Sequence, residues 1–135
     1  MTNTRCRPPL LILLALLGSA CAGTPGAATP ETSAALWPRI VAQVGHAPCD
    51  SQAQCHSIGV GHKPCGGPGG YLAWSSKQTD EAALKALVER HAKLEAEEQA
   101  RSGMLSNCQY LPDPGASCVA GRCQLNKAGP ASSTR

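Results

Sequence analysis

Hydrophobic positions fall into two regimes along this chain. Leu10 to Leu17 reads LLILLALL, an unbroken apolar run, whereas beyond Leu36 apolar residues recur only at intervals among polar ones. The clearest periodic segment opens at Thr79 and Asp80, either of which can cap a helix, and spaces Leu84, Leu87, Val88, His91 and Leu94 three or four residues apart. Leu87 lies at the centre of that stripe. The other side carries Glu81, Lys85, Glu89, Lys93, Glu97 and Arg101, a solvated face whose charges alternate in sign every four residues. This helix is predicted to end near Gly103.

Shorter patterns surround it. His56-Ser57-Ile58-Gly59-Val60 alternates as a strand does, and Tyr71-Leu72-Ala73-Trp74-Ser75 reads as its neighbour across a long loop that holds Gly66-Gly67-Pro68-Gly69-Gly70. Trp37 to Gly45 fits a two-turn helix with proline at its start and glycine past its end, with a short strand as the alternative. Asp50 can cap a single turn between Cys49 and Cys55. Leu105 to Leu111 and Ser117 to Val119 flank Pro112-Asp113-Pro114-Gly115, which predicts a hairpin turning there, its second strand continuing to Leu125 past a bulge at Gly121. The expected fold class is a small disulfide-bridged α+β domain over residues 37–125. One long amphipathic helix would cover a three- or four-stranded, mainly antiparallel sheet.

Composition then changes the picture from ordinary globule to stapled one. With no phenylalanine and 3% aromatic residues, the core is thin. Disulfides contribute about 2 to 4 kcal/mol each, so three of them match the net stability of a typical small domain. Cys49, Cys55, Cys65, Cys108, Cys118 and Cys123 form an even set that can pair completely, which implies an oxidising compartment. Six cysteines allow about fifteen connectivities. A hairpin at residues 112–115 would set Cys108 opposite Cys118, leaving Cys55 with Cys123 and Cys49 with Cys65.

The N-terminus carries the address. Arg5 and Arg7 precede the apolar run without an acid, and the run is followed by Gly18, Ser19 and Ala20, so residues 1–20 read as an export signal. The run is far short of the roughly 20 residues that span a bilayer. Gly18-Ser19-Ala20-Cys21 resembles the lipobox of bacterial lipoprotein precursors, in which the cysteine thiol is alkylated by diacylglycerol after cleavage. The family pattern has a large aliphatic residue where Gly18 stands; Leu17 lies one residue earlier. Ala20-Cys21-Ala22 also suits ordinary signal cleavage, and both cuts leave the same six cysteines. The resemblance implies lipidation of Cys21, a palmitate-bearing membrane anchor, and a flexible tether through residue 36. Ala22 after the cysteine resembles lipoproteins that are passed to the outer membrane and face the periplasm; the alternative is a secreted protein. Residues 126–135 have the loose composition of a disordered tail.

From Cys49 to Leu125 the order C-x5-C-x9-C-G-G-P, Tyr71 to Ser75, a helix and C-x9-C-x4-C resembles small exported cysteine-rich proteins of Gram-negative bacteria. That resemblance implies bridged cysteines and assigns no functional residue.

Charge and motifs exclude more than they assign. The formal net charge of +3 drops to +1 without Arg5 and Arg7, so no nucleic-acid partner is expected. C-x5-C-H at Cys49, Cys55 and His56 lacks the spacing of a haem attachment, and no cofactor is expected. His46, His56 and His62 with Cys55 and Cys65 are metal-capable donors, but paired C-x-x-C spacing is absent and no metal is expected. His91 reads as a border histidine. No G-x-S-x-G elbow or isolated carboxylate pair points to an enzyme or catalytic residues. The long loop from Gly59 to Gly70, tied at Cys65, offers His62, Lys63 and Pro64 to a protein partner. The reading is an envelope lipoprotein whose domain binds or supports. A secreted protease inhibitor or enzyme accessory factor, and a metal-binding periplasmic protein, are the alternatives.

Overall fold

Two helices and two separate β-hairpins make up the domain in a computed structural model that describes residues 30–105 and 108–127. The export signal, Cys21, the first part of the tether and the tail from residue 128 lie outside the described residues.

Helix α1 (Ser33–Val44) starts inside the span assigned to the tether. Thr32 caps it, its hydroxyl accepting from the Ala35 N–H at 3.2 Å, and Gly45 closes it, donating to the Val41 carbonyl at 2.9 Å. Leu36, Ile40 and Val44 recur once per turn and are buried. Leu36, read as tether, is therefore core. Pro38 stands inside the helix instead of at its start; it has no N–H to offer the Ala34 carbonyl, and this is tolerated because Ala34 faces solvent.

The long helix, α2 (Glu81–Ser102), has the expected ends. Asp80 accepts from the Ala83 N–H at 3.0 Å, and Gly103 takes a left-handed conformation at φ 65°. Its buried line is Leu84, Val88 and His91, while Leu87 and Leu94 are half-buried. Leu84, not Leu87, is thus the centre of its packing. The partner is α1 as much as the strands. Glu98 accepts from the backbone N–H of Ser33 at 2.9 Å and its hydroxyl at 2.5 Å, and Glu31 pairs with both Arg39 and Arg90.

Strands β1 (Cys55–Val60) and β2 (Gly70–Ser75) pair antiparallel from Cys55 with Ser75 to Val60 with Gly70, as the alternation predicted. The C-terminal hairpin lies elsewhere than expected. β3 (Ala116–Val119) and β4 (Arg122–Leu125) turn at Ala120 and Gly121, both at positive φ, and form their own two-stranded sheet. No strand forms at residues 109–115: Pro112 and Pro114 cannot donate to a ladder, and Asp113 accepts from the Gly115 N–H at 2.8 Å and from the Ser57 hydroxyl at 2.6 Å. This segment is a strap laid over the first hairpin, with the Tyr71 hydroxyl donating to the Leu111 carbonyl at 3.2 Å.

The single-sheet expectation fails because no strand of one hairpin pairs by backbone hydrogen bonds with a strand of the other, although they pack together. They are joined through the chain between α1 and β1. Cys123 donates to the Ala47 carbonyl at 2.8 Å and Cys49 to the Gly121 carbonyl at 2.9 Å, placing this segment beside β4. Gln52, in the single 3-10 turn Gln52–Gln54, donates to the Ala116 carbonyl at 2.8 Å and accepts from the Cys118 N–H at 3.0 Å. Ser51, not Asp50, caps that turn.

The six cysteines among the described residues are all bridged, as Cys49–Cys118, Cys55–Cys123 and Cys65–Cys108. Cys55 with Cys123 matches the expectation; the other two pairings exchange partners. With no hairpin at residues 112–115, Cys108 stays on the strap beside the loop that holds Cys65. Ile40, Val44, Trp74, Leu84 and Val88 gather around the Cys49, Cys55 and Cys123 sulfurs as the core. Among the described residues no helix is long and apolar enough to cross a membrane.

Candidate functional site

One face of α2, between α1 and the loop after β1, gathers the surface features. Glu95 and Gln99 hold the loop there from both sides of one residue: Glu95 Oε2 accepts from the His62 N–H at 2.8 Å, and Gln99 Nε2 donates to the His62 carbonyl at 2.9 Å. Gly61 permits this approach. A Cβ built on it would lie 2.8 Å from Glu95 Oε2, and its φ of 76° is one that other residues seldom adopt.

Three neighbouring depressions run along that face. The first, about 370 Å³, is lined by Trp37 from α1, His91 and Glu95 from α2, and Val60, Gly61, Gly69 and Gly70. The second, about 310 Å³, shares Glu95 and adds Ser33, Glu98, Gln99, Ser102 and Met104. The third, about 340 Å³, shares Gln99 and Met104 and reaches His62, Pro64 and Leu105. Met104 and Leu105 are exposed, which gives the groove an apolar end. Two buried polar atoms on this face, His91 Nδ1 and Gln99 Oε1, have no hydrogen-bond partner. His91 Nδ1 lies 4.0 Å from Glu95 Oε2, and its ring tilts against Trp37 with centroids 5.6 Å apart. His91 is 8% exposed, so it is a core residue, deeper than the border position expected.

The carboxylates differ in their ties. Glu98 is held below its ordinary pKa, chiefly by the Ser33 hydroxyl and then by the Ser33 N–H. Asp113 on the strap is lowered first by the Ser57 hydroxyl and then by the Gly115 N–H. Glu81 is lowered by its contact with Lys85, while burial raises the Tyr71 phenol.

The sequence-predicted positions fare unevenly. His62 and Pro64 line the groove. Lys63 does not point away from the domain: its Nζ donates to the Gln109 carbonyl at 2.7 Å, back across the strap. His46 and His56 are exposed, and His56 rests on its cross-strand partner Trp74 with centroids 4.7 Å apart. Among the described residues, the metal-capable cluster is Cys49, Cys55 and Cys123, whose sulfurs lie within 4.8 Å of one another and are all in disulfides. Trp37, Glu95 and Gln99 were not singled out by sequence. The available signal was His91, Glu95 and Gln99 at four-residue spacing on one helix face, hidden among other charged residues of α2.

No protein-family model, curated protein or solved structure matches the chain. The fold and its groove define a small α+β domain of two helices and two two-stranded sheets, held by three disulfides.

Proposed function

We propose that this chain is an exported lipoprotein, held on the periplasmic side of the outer membrane through Cys21, whose domain binds a ligand rather than transforms one. The observation that carries the reading is the cysteine balance. Every cysteine from Cys49 onward is spent in a disulfide, which suits an oxidising compartment and leaves Cys21, within a lipobox-like sequence, available for acylation. The binding surface is the groove along α2, where apolar and polar groups converge beside a loop that α2 itself holds in place.

The secreted-inhibitor alternative draws less support, because the Lys63 ammonium is engaged with the strap. Metal binding draws less as well, because the cysteine donors are bridged. Intact-mass analysis of the mature chain tests the anchor: a diacylglycerol-modified N-terminal Cys21 is expected, and Cys21→Ser should release the protein from membranes. An unmodified N-terminal Gly23 would overturn it.

A further inference from the structure

We propose that the depression bounded by Trp37, Gly61, Gly69, Gly70, His91 and Glu95 is a binding site for a small primary amine in its ammonium form. The proposal names the ligand class of the groove and rests on the reading of this chain as a binding protein.

Three observations point to a cation that also donates hydrogen bonds. Glu95 has no lysine or arginine paired with it among the described residues, and its hydrogen bond from the His62 N–H occupies only Oε2. Most other acids nearby are engaged: Glu98 is held by Ser33, and Glu31 by Arg39 and Arg90. Trp37, 38% exposed, lines the same depression with its ring tilted against His91, and an indole ring attracts a cation. The third is His91, which lines the depression and whose buried Nδ1 has no hydrogen-bond partner. A buried imidazole nitrogen left unbonded is costly, and a donor inserted between Trp37 and Glu95 would satisfy it.

Distances separate an amine from a metal ion. His91 Nδ1 and Glu95 Oε2 lie 4.0 Å apart, and Oε2 keeps a second lone pair beside the one that accepts from the His62 N–H; an ammonium nitrogen about 2.8 Å from both would subtend about 90°, about 20° short of its tetrahedral N–H angle. Zinc at roughly 2.05 Å from both atoms would need an angle of about 155°, far from tetrahedral. An anionic ligand would meet the Glu95 carboxylate. Gly61, Gly69 and Gly70 keep the mouth free of side chains, so a slim alkylammonium fits.

The test is titration of the oxidised full chain with n-butylammonium chloride, followed by amide, indole and imidazole NMR shifts, with sodium chloride at equal ionic strength as control. The expected result is saturable binding centred on Trp37, His91 and Glu95. Glu95→Gln keeps an oxygen for the His62 N–H but removes the charge, and should weaken binding at least tenfold. Trp37→Leu should weaken it severalfold, and Glu89→Gln on the outer face should leave it unchanged. Shifts reproduced by sodium chloride, shifts that rise without saturation, or affinity that survives Glu95→Gln in a folded chain would each overturn the proposal. The titration is indifferent to acylation of Cys21. Loss of amine binding in an anchored protein removes the ligand class alone, whereas amine binding by an unacylated protein removes the anchor alone.

Discussion

Cys118 and Cys123 face each other across the β3–β4 hairpin, yet neither is bonded to the other: Cys118 is joined to Cys49 and Cys123 to Cys55. Directly opposed residues of an antiparallel pair project to the same side. Both bridges therefore leave one face of the hairpin and clamp it to the chain between α1 and β1. Each closes a long loop, with separations of 69 and 68 residues, so each removes much freedom from the unfolded chain.

The three disulfides should differ in their response to a thiol reductant. Cys65 and Cys108 are exposed, whereas Cys49, Cys55 and Cys123 are buried. Exchange requires access of a thiolate to a sulfur. Mild reduction followed by alkylation should label Cys65 and Cys108 first. Peptide mapping that finds Cys55 or Cys123 labelled earlier would contradict the burial described here.

Replacing both Cys49 and Cys118 by alanine should cost about 2 to 5 kcal/mol, the range for a native bridge in a small exported domain. Urea unfolding monitored at buried Trp74 measures it. A loss under about 1 kcal/mol would mean that the backbone bonds of Ala47 and Cys49 and the side-chain bonds of Gln52 hold the hairpin without the bridge.

The hairpin turn contains a residue poorly suited to it. Ala120 sits at φ 49° before Gly121 at φ 75°, and such a two-residue turn favours Asn-Gly because a Cβ is strained at positive φ. Ala120→Asn is expected to stabilise the domain by about 0.5 to 1 kcal/mol without changing the pairing. Ala120→Val should destabilise it, and the same urea measurement separates the two.

On α2, Leu84→Ala should cost about 2 to 5 kcal/mol because Leu84 is fully buried, and the half-buried Leu87 should cost less. Lys93→Ala, on the solvated face, should change stability by less than about 0.5 kcal/mol. If Leu87→Ala proved the more damaging, the helix would be rotated from the orientation described.

Acid should weaken the contacts of α1 and of the strap. Glu98 and Asp113 have folded pKa values below their ordinary 4.5 and 3.8, so each favours the folded state fully above its ordinary value. That contribution disappears as pH falls from there through the lower folded value. Thermal midpoints should therefore drop below about pH 4.5, and Glu98→Gln should flatten the upper part of the drop. A midpoint rising in that window would contradict the sign.

Much was written locally. Asp80 and Gly103 mark the ends of α2, and the alternation at residues 56–60 and 71–75 marks the first hairpin, because caps and period-two patterns act over a few residues. Leu36 shows where local reading stops. The residues before it are small or polar, and nothing within a turn of it reveals that α1 packs on α2 and that Leu36 is fully buried. The prolines at 112 and 114 looked like a turn between strands, but no ladder partner lies beside residues 109–111, so the same residues became a strap.

An even cysteine count, a thin core and the long amphipathic helix were determined by the sequence alone, since each depends on composition or on neighbours within a turn. Which cysteines meet, which helix face is buried, and that His91, Glu95 and Trp37 share one depression were decided only by tertiary structure. The reason is distance along the chain. Cys49 and Cys118 are 69 residues apart, and sequence spacing does not specify such a meeting until the intervening elements have packed.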